Sequence, residues 1–403
     1  MTRNWLQLSA AALIGAALIA GPAAAQKKYS PGAGDKEIKI GQTNPYSGPA
    51  SAYGANGKTE AAYFAMLNEE GGINGRKINF ISLDDGYSPP KTVEQVRKLV
   101  EQDEVLFVYA PLGTPSNSAI HQYMNAKKVP QLFVATGATK WGDPQHFPWT
   151  MGWQPNYQTE AKIYAKYLLQ TKPDAKIGIL YQNDDYGKDY LKGFKDGLGD
   201  KAAKMIVSEV TYEVTDPTVD SQIVTLKGSG ADTFFNITTP KFAAQAIRKA
   251  YDIDWHPLHF LNNVSNSIGA VLQPAGVEKS VNIISTTYYK DATAAKWQGD
   301  ADYKDWIAFM KKYNKDSDPA DNNTVLAYAR AYTLAQVLKQ CGDDLTRENV
   351  MKQAANLKHL KVPMLLPGIE VNTSPTDFFP IEEMQLEKFD GKNWELVGEV
   401  IGG

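Results

Sequence analysis

A chain of 403 residues, 43% of them hydrophobic, is long enough to build two domains and a sizeable core. Lys and Arg number 42 against 45 Asp and Glu, a formal net charge of −3, which excludes a surface basic enough to follow a phosphate backbone. Cys341 is the single cysteine, so no disulfide can form within the chain and the fold must stand on its core. Beside Leu338 on an amphipathic stretch, its thiol fits a buried position better than a reactive one.

The first residues carry an export pattern. Arg3 supplies a positive start, an apolar run follows from Leu6 to Ile19, and Gly21-Pro22 precede Ala23-Ala24-Ala25. Small residues at 23 and 25 suit a signal-peptidase site, which predicts a signal peptide over residues 1–25, cleaved after Ala25, and a mature chain beginning at Gln26. The apolar run is too short for a bilayer core of roughly 30 Å. No cysteine follows it to take a lipid, and no later segment approaches a spanning helix.

Beyond the signal, strand and helix patterns alternate, as in an α/β fold with parallel sheets. The first unit predicts strands over 37–41, 77–83, 105–109 and 131–134, with helices over 54–68, 89–101 and 116–126. Gly71-Gly72 stop the first helix, and Pro89-Pro90 open the second. A Pro- and Trp-rich passage, 148–155, leads to a second unit. It predicts helices over 157–170, 186–198, 219–227 and 240–252, and strands over 176–181, 204–212, 232–237, 258–262 and 281–285. Helices over 303–313, 323–339 and 347–356 follow, too few for a third domain and better used to cover the first sheet. Two terminal strands, 380–389 and 394–399, read as a hairpin turned by Asp390-Gly391. Several parallel crossings between lobes would make a hinge.

Reactive motifs are sparse. Ala52-Tyr53-Gly54-Ala55-Asn56-Gly57-Lys58-Thr59 loosely fits a phosphate loop, but it lacks the first glycine and follows too long a connection, so the first turn of a helix is the better account. No Gly-x-Ser-x-Gly elbow occurs. His256 and His259 flank Pro257 at a strand start and suit surface or core positions rather than a metal. Asp84-Asp85 and Asp184-Asp185 read as caps for the helices that follow them. No catalytic residue, metal ligand or cofactor motif emerges. Two loops at strand ends are more suggestive: Pro111-Leu112-Gly113-Thr114-Pro115-Ser116 and Ala135-Thr136-Gly137-Ala138-Thr139. In open α/β sheets ligands sit at the carboxyl ends of strands, and free amides at a following helix favour a carboxylate; ordinary capping explains each loop alone about as well.

Several segments together resemble the periplasmic leucine/isoleucine/valine-binding protein family of ABC importers. They are Ile38–Gly41 with Tyr46-Ser47-Gly48-Pro49 and Tyr53-Gly54; Asn68-Glu69-Glu70-Gly71-Gly72-Ile73-Asn74-Gly75; Asp84-Asp85; and Asp185-Tyr186-Gly187. The resemblance implies a type I binding-protein fold: two doubly wound, Rossmann-like lobes joined by a three-crossing hinge. Lobe one would take 36–151 and 286–377, and lobe two 152–285 and 378–403. It implies that Tyr53 borders the ligand, that Gly113 and Thr114 hold a carboxylate with Thr136, Gly137 and Ala138, and that Tyr186 closes from lobe two. Thr239 stands where amino-acid binders tend to carry an aromatic. Asn262-Asn263 stand where those binders carry the acid that pairs with the ligand's ammonium. The function implied is non-enzymatic: a monomeric periplasmic receptor that captures a small carboxylate-bearing solute, such as a branched-chain amino acid, an aromatic acid or an amide. It would pass that solute to an inner-membrane permease driven by a cytoplasmic ATPase. A ligand-presenting sensory co-receptor could share every one of these residues, whereas a secreted α/β enzyme would need a nucleophile–base pair.

Overall fold

Most parallel strands of this chain lead into a helix, and several of those helices have a start that is fixed locally. Pro89, Pro115 and Pro240 sit in the first turns of their helices, where a missing N–H costs nothing. Asn156, Asp184, Asp321 and Thr346 accept from backbone amides at the starts of four others. The computed structural model describes residues 27–402, so the signal over 1–25 and Gln26 lie outside the described residues.

The chain runs β1 (Lys28–Tyr29), β2 (Glu37–Asn44), α1 (Gly54–Glu69), β3 (Lys77–Asp84), α2 (Pro89–Glu101), β4 (Phe107–Tyr109), α3 (Thr114–Lys127) and β5 (Gln131–Leu132). Strands β2 to β5 form a parallel sheet in the order β3-β2-β4-β5. Then come α4 (Tyr157–Thr171), β6 (Ile177–Gln182), α5 (Asp185–Leu198), α6 (Ala202–Met205), β7 (Ile206–Tyr212), α7 (Asp220–Gly228) and β8 (Thr233–Ile237). They lead on to α8 (Pro240–Asp252), β9 (Leu258–Leu261), α9 (Gln273–Ala275) and β10 (Ile284–Thr287). The last elements are α10 (Ala301–Tyr313), α11 (Asn322–Cys341), β11 (Asp344–Leu345), α12 (Arg347–Ala354), β12 (Glu383–Phe389) and β13 (Trp394–Gly402). The second sheet has seven strands in the order β13-β12-β10-β9-β8-β6-β7; β12 joins β10 antiparallel, while β6 to β10 pair in parallel.

Sheet membership shows where the chain passes from one sheet to the other. It leaves the first sheet after β5 and the second after β10, and returns to the second at β12. Between the last two passages, α10 and α11 cover the first sheet's helix α1: Tyr63 meets Tyr328 edge-on at 5.2 Å and Phe309 at 6.0 Å. Each such aromatic pair stabilises by more than the area that it buries. The type I doubly wound architecture is thus present, with α2 and α8 at the bounds expected from sequence.

Three local expectations are corrected, and two further features have no counterpart among the elements expected from sequence. α3 starts at Thr114 rather than 116, because Pro115 can occupy the first turn. β10 starts at Ile284 rather than 281, since Val281 is exposed and Asn282 has a left-handed φ of 71°. A π-turn at Ile268–Leu272 and the β1–β11 pair carried no periodic signal. Asp84 does not cap α2, whose N-cap is Ser88. Its carboxylate instead accepts from the amides of Tyr46 and Gly86 and from the Ser47 hydroxyl, pinning the loop after β2. Partial burial opposes ionisation there, but those donors and Lys91 hold the carboxyl well below its ordinary range. Asp184 does cap α5, through the amides of Tyr186 and Gly187. Gly57, Lys58 and Thr59 lie inside α1, where the Thr59 hydroxyl accepts from Asn314, so no phosphate cradle forms.

Candidate ligand-binding site

The carboxyl ends of both sheets face each other across a cavity of about 50 Å³, the place where ligands sit in open α/β sheets. Loop 110–114 brings the first sheet to it. Gly113 adopts φ +96°, and a Cβ there would fall 2.4 Å from the Tyr87 ring, so only glycine fits. Asn117 donates to the carbonyls of Pro111 and Gly113 at 2.7 and 2.9 Å, which fixes the loop and leaves Thr114 opening α3 at the cavity wall.

Of the residues singled out in the sequence, Tyr53, Gly113, Thr114, Tyr186 and Thr239 line the cavity. Thr136, Gly137 and Ala138 form a second row behind them. The Thr136 hydroxyl lies 2.6 Å from that of Thr114 and also receives the Ala138 amide and the Trp141 indole N–H, each at 3.4 Å. The Gly137 carbonyl accepts the Tyr157 amide at 2.8 Å, and a Cβ at 137 would lie 2.5 Å from the Pro155 carbonyl oxygen. Ala138 is buried beneath them. Asn262 also sits behind the wall: its oxygen accepts from the Tyr186 hydroxyl at 2.7 Å, and its nitrogen donates to the carbonyls of Asn236 and Thr238. A 3-10 turn at Asn263–Ser265 follows β9, and it carries the next residue, Asn263, to the cavity instead.

The walls are aromatic and polar at once. Tyr53, Tyr87, Tyr157 and Tyr186 all border the space, and burial raises every one of these phenols; Tyr157 is pushed up to about 12, so they remain neutral donors. Tyr157 stacks on Tyr190 at 4.3 Å and meets Tyr186 edge-on. The two sides touch around the cavity: the Tyr53 hydroxyl donates to the Val264 carbonyl at 3.0 Å, Ser267 to Asp321 at 3.0 Å, and Lys140 to Asp185 at 2.6 Å.

Sequence reasoning missed Arg330. It lies on α11 with 2% exposure and borders the cavity, where it is the single formal charge among the described lining residues. Its Nε and Nη2 bond the fully buried Glu60 at 2.9 and 2.8 Å, and Nη2 also donates to Asn56 at 3.0 Å. Gln42 donates to the other Glu60 oxygen. Burial pushes the Glu60 carboxyl up, and the guanidinium pulls it back. The available signal was an arginine set among alanines and tyrosines in the interior of an apolar helix, at 327–332.

Other polar candidates stay apart from the cavity. His256 is exposed beside Asp254; His259 lies in β9, where burial lowers its pKa to about 3 and keeps the ring neutral. Cys341 is buried, which pushes its thiol up to about 12. Among the described residues no group of three His, Cys, Asp or Glu side chains could hold a metal ion, and no helix is long and apolar enough to cross a membrane.

Two parallel-sheet lobes that meet over a cavity at their strand ends define a type I binding protein. The chain belongs to the periplasmic binding protein family, whose model matches residues 37–393. That is an exported, solute-binding family, and several relatives of the chain carry the name Leu/Ile/Val-binding protein homolog. It is 25% identical to the Leu/Ile/Val-binding protein homolog 1 of Brucella suis over 337 residues, which is 80% of this chain and 84% of that protein. A branched chain amino acid ABC transporter from Thermus thermophilus with bound valine shares the fold at a TM-score of 0.81 and 14% identity, over 92% of this chain and 98% of that one. A fatty acid ABC transporter substrate-binding protein from Thermomonospora curvata superposes at 0.76 with 23% identity, over 94% and 95% of the two chains.

Proposed function

We propose that this protein is the periplasmic solute-binding component of an ABC importer, and that it captures a small carboxylate-bearing solute by closure of its two lobes. The observation that carries this reading is the tyrosine-walled cavity between the sheets, bridged by the Tyr53–Val264 contact. The relatives are named for branched-chain amino acids and one superposable structure for fatty acids; the proposed solute is a branched-chain amino acid, an aromatic acid or an amide, as the family resemblance implies. Lobe one takes 36–151 and 286–377, and lobe two 152–285 and 378–403. The partners are an inner-membrane permease and its cytoplasmic ATPase, the protein acts as a monomer, and the solute leaves it chemically unaltered.

Mass spectrometry of the ligand released from periplasmic protein tests the reading directly. Hinge closure should shrink the radius of gyration in solution scattering when that ligand is added. At a hundred times its dissociation constant the ligand should add roughly 2.7 kcal/mol of stability. An unchanged radius and melting temperature with every released compound would defeat the capture model. Export is tested separately: N-terminal sequencing of the periplasmic form should begin at Gln26, and an intact Met1 on membrane-bound protein would overturn cleavage after Ala25.

A further inference from the structure

We infer that Arg330 selects the solute: the occupant presents an oxyanion to its guanidinium and carries no ammonium. The inference rests on the reading that the cavity holds a solute, and three observations carry it. First, Arg330 is the one formal charge on the described cavity wall, and no described Asp or Glu lines it. An ammonium in that space would face a like charge and neutral amides and hydroxyls, whose oxygens replace part of its hydration but supply no counter-charge. Second, the guanidinium is only partly used. A guanidinium carries five N–H donors in a planar fork. Here Nε and Nη2 are committed to Glu60 and Asn56, and Nη1 has no hydrogen-bond partner among the described residues. Third, the neighbouring hydroxyls are engaged with each other. Thr114 and Thr136 lie 2.6 Å apart, so one of their two protons is spent between them, Thr136 takes two further N–H donors, and the proton that remains is a neutral donor with no charge to set against a carboxylate.

Glu60 makes the assignment testable, because it does not line the cavity yet offsets the arginine's charge. Both its oxygens are occupied, one by Arg330 and the other by Gln42. A buried pair that served stability alone would lose from either substitution in the same sense. A solute-reading arginine would not. Arg330→Gln removes the attraction for an anion, whereas Glu60→Gln keeps a neutral hydrogen-bonding side chain and leaves the guanidinium uncompensated.

Calorimetric titration of benzoate, octanoate, the keto acid of leucine, the three corresponding amides, and leucine itself decides the matter. The expected result is that at least one amine-free acid binds the wild type more tightly than its amide and than leucine. Its affinity should fall about ten- to a hundredfold in Arg330→Gln, the loss of hydrogen bonds to a charged group. In Glu60→Gln it should rise, with a steeper dependence on salt. Equal affinity in the wild type and a folded Arg330→Gln, preference for leucine, or weakening by Glu60→Gln would each overturn the assignment. Should Arg330→Gln fail to fold, the sign of the Glu60→Gln effect decides. Leucine binding that ignores both substitutions would leave solute capture standing and remove Arg330 from it. Binding by none of the seven compounds would count against both.

Discussion

Trp153→Ala is expected to remove about 3–5 kcal/mol of stability, the loss found when a large buried aromatic is truncated. Trp153 is fully buried in the passage that joins the two sheets, immediately before the cavity-lining Gln154. Its indole N–H donates to the Thr333 hydroxyl at 3.1 Å, its ring meets Tyr288 edge-on at 6.1 Å, and the Arg330 guanidinium lies 5.9 Å from its centroid. Alanine would open a cavity beneath the hinge and leave the Thr333 hydroxyl one partner fewer. It would also take away the surface on which Arg330 rests, so binding should weaken along with stability. Urea titration followed by circular dichroism should show the midpoint drop with the slope unchanged. A loss below 1 kcal/mol would mean that the passage can collapse around the gap.

Glu160 should give the protein a pH-dependent stability with a sign opposite to that of most carboxylates. It is fully buried on α4 and accepts from the hydroxyls of Tyr164 and Tyr190, at 2.8 and 2.6 Å, and from the amide of cavity-lining Asn263 at 2.7 Å. Burial raises its pKa to about 7 in spite of those donors. The unfolded chain releases this proton near pH 4.5, whereas the folded chain keeps it until about 7. Between those values the folded state binds more protons, so stability falls as pH rises through the window and levels off above it. At about 1.4 kcal/mol per unit, the whole change is about 3 kcal/mol. Urea midpoints at intervals from pH 4.5 to 7.5 should therefore decline in the wild type and decline less in Glu160→Gln. Parallel slopes for the two proteins would assign the effect to other groups.

Local chemistry made much of the fold legible. The alternation of strand and helix patterns, the prolines at the starts of α2 and α8, and the Asp184 cap are short-range facts, and each element formed about where its residues placed it. The family pattern was legible for a related reason: Tyr53-Gly54, Gly71-Gly72 and Asp185-Tyr186-Gly187 are contiguous motifs, readable without knowing what packs against them. Asp84 shows the limit. Its sequence neighbours suggested a cap, yet its carboxylate is claimed by amides of a loop some forty residues earlier.

By itself, then, the sequence determined the α/β class, the chain order of the elements, and the loops that reach the strand ends, because backbone preference and apolar period act over a few residues. Only the tertiary structure decided which side chains meet the cavity. Thr136 turned inward because three donors and the Thr114 hydroxyl surround it, and Asn263 replaced Asn262 at the wall because a tight turn follows β9. Glu60 and Arg330 stand 270 residues apart in the chain, and their pairing depends on the return of α11 across α1. A desolvated charge can be held only where its partner is also buried, and that partner is chosen by the packing of whole helices rather than by any spacing along the chain.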